Sequence, residues 1–297
     1  MRSLLLSLFI FMSTTAVAGV SEWIPFEHRN GQVLVKVKVE GIDTYAMMDS
    51  GASINLINQN FVDHHQLELQ KLRDKITIQG VHGKSERDVF RDVPTEMFGQ
   101  DLALDYVSGD FAEPEIALIL GAPLLDKYVF QFDYPNSRLR LIDHDSIDLI
   151  EVKNITMRSR RDYDQPIVKV NLNDEVEAWL ILDTGASTGI YLQREVADNH
   201  GWLESFPVSQ GLSRGVNTVA EVESFSLPLV EFGPYLLEDV EIIVPIEGVR
   251  TDYGRNRQQL NSRVRGVKID GLIGYDVLKH FILTIDYKNG RGHIHAP

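Results

Sequence analysis

Apolar and polar residues alternate along Val33, Val35, Val37 and Val39, the period-two pattern of a strand with one face in a core. Ile167 to Leu172 has the same character. Leu180-Ile181-Leu182 is an unbroken apolar run, as in a strand covered on both faces. Helical periodicity is confined to short stretches, the best being Gln59 to His65 and Gln193 to His200. The pattern predicts an all-β chain with a few short helices.

The pattern also repeats. YAMMDSGASINLINQNFV around Asp49 is answered by AWLILDTGASTGIYLQREV around Asp183, with Gln59 and Val62 matching Gln193 and Val196. Further on, LILGAPLLDKYVFQFDYPNSRLRLI is answered by GLIGYDVLKHFILTIDYKNGRGHI, so that Gly121 and Asp133 stand to each other as Gly274 and Asp286 do. A weaker match sets Gly80 and Gly83 against Gly211 and Gly215, and Gly-containing hairpins fit that spacing. The second half carries extra residues, placed by the pattern at Glu247 to Lys268. That stretch holds Arg250, Arg255, Arg257, Arg263, Arg265 and Lys268, the composition of a long exposed loop. The expected organisation is a leader at 1–18, one half at 19–150, a linker at 151–165 and a second half at 166–297.

Composition narrows the chemistry. The 297 residues are 43% hydrophobic and 24% charged, enough to bury a real core in about two domains. The formal net charge of −14 argues against a nucleic-acid surface held by phosphate contacts. Cysteine is absent, which excludes disulfides, thiolate nucleophiles, iron–sulfur clusters and cysteine-based zinc sites. Arg2, the apolar run Leu4 to Met12 and Ala16-Val17-Ala18 before Gly19 have the form of a cleaved export signal. The run is short for a membrane span, so the expected product is a periplasmic or secreted protein with no stable membrane anchor.

Other constellations are thin. His82-Gly83-Lys84-Ser85 lacks the upstream glycine of a phosphate loop, and there is no paired-histidine metalloprotease helix and no Gly-x-Ser-x-Gly elbow. His64-His65 and His293-x-His295 read as solvated side chains rather than a metal site.

A single Asp followed by Ser or Thr and Gly is commonly an Asx-turn. Two copies, each after an apolar strand, suggest more. Two carboxylates sharing one proton supply both the base and the acid that amide hydrolysis needs. Asp49-Ser50-Gly51-Ala52-Ser53 and Asp183-Thr184-Gly185-Ala186-Ser187 resemble the active-site loops of retropepsin-like and pepsin-like aspartic proteases. Ile119-Leu120-Gly121 and Leu272-Ile273-Gly274 are similar to the hydrophobic-hydrophobic-Gly element that lies beside each loop in that family.

The resemblance covers most of the chain after the leader. It implies an all-β, bilobal acid-protease fold with a pseudo-two-fold internal repeat, and an aspartic endopeptidase acting on polypeptide as a monomer. Asp49 and Asp183 would be catalytic, with no metal or organic cofactor. Gly51 and Gly185 would permit close backbone approach, and Ser50 and Thr184 would bond across to the opposite loop or, on the alternative reading, within their own turns. Gly80 with Gly83, and Gly211 with Gly215, sit where flaps would be. Ala52 and Ala186 offer no hydroxyl to the carboxylates, which points to a mildly acidic optimum. The rival from another class is a peptide-binding or scaffolding module that keeps the fold without turnover.

Overall fold

The computed structural model describes residues 19–80, 83–111, 113–160, 165–214, 219–249 and 267–297. The leader, Gly215, and Arg250, Arg255, Arg257, Arg263 and Arg265 of the Arg-rich stretch lie outside the described residues.

Each half curls a sheet onto itself. In the first, Gln32–Val39 and Ile42–Met48 form a hairpin, and Ile116–Leu120 lies parallel to Ile42–Met48. Leu56–Asn58, Gln100–Gly109 and Val89–Met97 continue the sheet, and Val89–Met97 pairs back onto Gln32–Val39. Such closure leaves few free edges.

The second half repeats this strand for strand. Gln165–Leu172, Val176–Leu182, Gly271–Ile273, Ile190–Leu192, Tyr235–Pro245 and Val219–Phe232 run in the same order, and Val219–Phe232 closes on Gln165–Leu172. The predicted strands fall where the alternation places them. Ile116–Leu120 is buried at every position, as its apolar run requires. The two best helical stretches are Gln59–His64 and Arg194–Asn199, with Asn58 and Gln193 at their N-caps.

A third sheet of five strands joins the halves. Val129–Asp133 pairs antiparallel with Ile282–Asp286, flanked by Arg138–Ile142 and Arg291–His295, and Ile24–Pro25 forms one edge. At its centre Gln131 faces Thr284, and the Gln131 amide donates to the threonine hydroxyl at 2.8 Å.

Part of the segment expected to be a linker, 151–165, belongs to secondary structure. Met157–Arg160 is a strand on Gln165–Leu172. Ile155 and Met157 are buried, and Asn154 bonds the backbone of Ile294 in both directions. Arg158, exposed in this segment, lies over the Trp179 ring at 4.8 Å, a cation–π contact made at the surface.

Candidate active site

Asp49 and Asp183 each follow the last residue of a buried central strand, Ile42–Met48 and Val176–Leu182. Each loop is held against the neighbouring strand in the same way. Asp49 N–H donates to Leu120 C=O and Asp183 N–H to Ile273 C=O, both at 3.0 Å. Ala122 and Tyr275 amides then bond the Ala52 and Ala186 carbonyls. The two hydrophobic-hydrophobic-Gly elements thus form the seats of the two loops.

The loops interlock. The Ser50 hydroxyl donates to Leu182 C=O at 2.5 Å and accepts from Thr184 N–H at 3.0 Å. Reciprocally, the Thr184 hydroxyl donates to Met48 C=O at 2.7 Å and accepts from Ser50 N–H at 3.0 Å. Both side chains are buried, so all four bonds form away from water. They run between the halves rather than within local turns.

Gly51 and Gly185 permit the approach. A β-carbon at either would fall 2.6 Å from the carboxyl carbon of the opposite aspartate, a contact no side chain could make. The amides of Gly51 and Ala52 donate to Asp49 Oδ1 at 2.9 and 3.0 Å, and that of Gly185 to Asp183 Oδ1 at 2.9 Å.

The two carboxyl groups are hydrogen-bonded to each other. Each keeps part of its surface accessible, yet lies deep enough for desolvation to dominate its acidity. Burial pushes Asp49 well above the ordinary carboxylate value, and the charge of Asp183 pushes it further; amides of Gly51 and Ala52 oppose the rise. Burial also raises Asp183, against the amides of Gly185, Ala186 and Gly51 and the bond from Asp49. Such a pair loses its protons in two steps that belong to both groups. It can hold one proton and one charge at once, the state needed to deprotonate a water and protonate a carbonyl together.

The flap candidates are hairpin residues. Gly80 faces Gly83 at the tip of Ile76–Gly80 and Gly83–Arg87, which places Gly83 to Ser85 in a strand rather than a phosphate loop. Gly211 faces Val222 in the hairpin of Ser209–Arg214 with Val219–Phe232. That hairpin exposes Leu212 (72%) and Val219 (51%). The histidine pairs lie elsewhere: His64 and His65 pack edge to face, and His293 Nδ1 lies 2.5 Å from Val152 C=O.

Three side chains around the loops were not singled out from the sequence. The Tyr287 hydroxyl donates to Ser50 C=O at 3.1 Å, Gln165 donates its side-chain amide to Gly51 C=O at 2.5 Å, and Tyr134 has its pKa raised first by burial and then by the charge of nearby Asp183. The tyrosines had a signal, since Asp-Tyr occurs in both halves. Gln165 had none.

This arrangement defines an aspartic protease. A family model described as retroviral aspartyl protease matches residues 26–146, and one described as aspartyl protease matches residues 168–277. Each match contains one aspartate loop. The chain belongs to the retropepsin-like aspartic proteases and is an aspartic-type endopeptidase, with polypeptide as substrate. Comparison with curated proteins finds no match to the chain.

Proposed function

We propose that the chain is an exported endopeptidase in which Asp49 and Asp183, one from each half, share a proton and together activate the water that cleaves the peptide bond. The observation that carries this reading is the pair of deep-set carboxyl groups, bonded to each other at the centre of two interlocked loops. The ionised partner takes a proton from water as its oxygen attacks the substrate carbonyl. The protonated partner gives its proton to the carbonyl oxygen. Collapse of the tetrahedral diol passes a proton to the leaving nitrogen and restores the shared proton.

The hairpin carrying Gly80 with Gly83 and the hairpin carrying Gly211 act as flaps over the substrate, and exposed Leu212 supplies apolar contact. Residues 1–18 direct export and are removed before Gly19, and the mature chain works as a monomer. Mass measurement of the exported protein checks that cleavage site.

Residues 19–297 incubated with a diverse peptide mixture should cleave it, and a statine-type transition-state mimic should block the cleavage. Asp49→Asn and Asp183→Asn should each lower turnover by about 10²- to 10⁴-fold while staying folded. Near-normal turnover in either folded mutant would overturn the shared-proton mechanism. Peptide binding with no cleavage by the unmutated protein would instead make it a binding module.

A further inference from the structure

The repeat makes Tyr134 and Tyr287 equivalent: each directly follows the inter-half strand, Val129–Asp133 or Ile282–Asp286, and each is buried, at 3% and 2% exposure. Their hydroxyls are nonetheless treated differently. Tyr287 donates across the halves to Ser50 C=O at 3.1 Å. The Tyr134 hydroxyl has no hydrogen-bond partner among the described residues.

Ser50 C=O and Gly51 N–H belong to one peptide group, and that N–H donates to Asp49 Oδ1 at 2.9 Å. We infer that Tyr287 is a positioning residue that acts on the aspartate pair through the Ser50–Gly51 peptide, fixing its orientation and strengthening its N–H as a donor. A bond accepted at a carbonyl polarises the peptide, and in a chain of hydrogen bonds each strengthens the next. The Gly51 amide favours the charged form of both carboxyl groups, so one phenol reaches both acids through one peptide. Tyr134 makes no corresponding bond, and the control is therefore asymmetric. The inference rests on the shared-proton reading above.

Other titratable groups face this region. His28 stacks on Tyr134 with ring centroids 5.8 Å apart, and burial lowers its pKa. Tyr275 packs against both His28 and Tyr134, with Lys279 Nζ 5.7 Å from its ring centroid. Asp286, next to Tyr287, pairs with His144 at 3.3 Å.

The test is kcat/KM against pH for the whole protein, Tyr287→Phe and Tyr134→Phe, each repeated in a His28→Gln background because His28, whose pKa burial lowers, is a titratable group stacked on Tyr134. Loss of the Tyr287 hydroxyl weakens the Gly51 donor, so the acidic limb should move up by on the order of 0.5 pH unit. Tyr134→Phe should leave the limb in place. An unmoved limb in folded Tyr287→Phe, an equal shift in both variants, or a shift that vanishes without His28 overturns the inference. Should Tyr287→Phe fail to fold, a ring-fluorinated tyrosine at position 287, a stronger donor, must move the limb to lower pH, and an unmoved limb is again fatal. Asp49→Asn separates the two readings. If it turns over normally, the shared-proton reading falls; if it is inactive while the Tyr287 limb stays put, only the role of Tyr287 falls.

Discussion

At the scale of single residues, the two aspartates work against the stability of the fold that holds them. Burial raises both native pKa values above the unfolded ones, the reverse of the usual salt-bridged carboxylate. The sign follows: the protonated pair contributes stability that is fully present below the unfolded value near 3.9 and is lost as pH rises through the native values. Each unit of upward displacement corresponds to about 1.4 kcal/mol. At neutral pH the native state therefore carries the repulsion and desolvation of the site, as functional sites commonly do. An amide at either position removes the charge and keeps an oxygen to accept from Gly51 or Gly185. Asp49→Asn and Asp183→Asn should thus unfold at higher urea concentration than the unmutated protein at pH 7, with the difference shrinking toward pH 4. If both are no more stable than wild type at pH 7, the carboxyl groups are not the buried, coupled pair described.

At the scale of elements, what was legible in the sequence was local. Strands such as Gln32–Val39 and the short helix Gln59–His64 declare themselves by period, and the aspartate loops by repetition. Pairings made over long separations are not written in any window. Nothing in Val129–Asp133 alone says that it lies against Ile282–Asp286, and nothing in Met157–Arg160, short and polar, distinguishes an edge strand from a linker. The repeated Asp-Tyr marks Tyr287, but the same limit hid its target, Ser50, far away in the chain. The stretch from Glu247 to Arg265 is legible only by comparison of the halves. In the first half a short segment joins Gln100–Gly109 to Ile116–Leu120; in the second, the longer one joins Tyr235–Pro245 to Gly271–Ile273. Loop entropy grows slowly, by about 0.6 kcal/mol per doubling of length. Replacing 247–265 by a segment of first-half length should leave stability within about 1 kcal/mol of the original, read by urea unfolding. Loss of cooperative unfolding would mean that the stretch packs into the fold.

At the scale of the molecule, the two halves are joined by more than the chain between them. Each contributes one central strand to the shared sheet, where Val129 to Asp133 pair residue by residue with Asp286 to Ile282. Each also contributes one hydroxyl and one backbone amide to the interlocked loops. Separating the halves would expose a hydrophobic strand edge on both and leave buried donors and acceptors unpaired, at about 1–3 kcal/mol per group. Neither 19–150 nor 151–297, expressed alone, should be a cooperatively folding monomer. Mixed, they should recover peptide cleavage that depends on concentration, because the covalent connection supplies an effective concentration near the millimolar range that separate chains lack. The aspartate loops allow a sharper form of the test. A 19–150 fragment carrying Ser50→Ala loses both the bond to Leu182 and the acceptor for Thr184 N–H, and should require a higher concentration of its partner for the same activity. Sedimentation and activity titrations of the mixed fragments measure this directly. A half that folds and stays monomeric on its own would show that the shared sheet and the interlock are contacts between independent domains, rather than part of what makes each half fold.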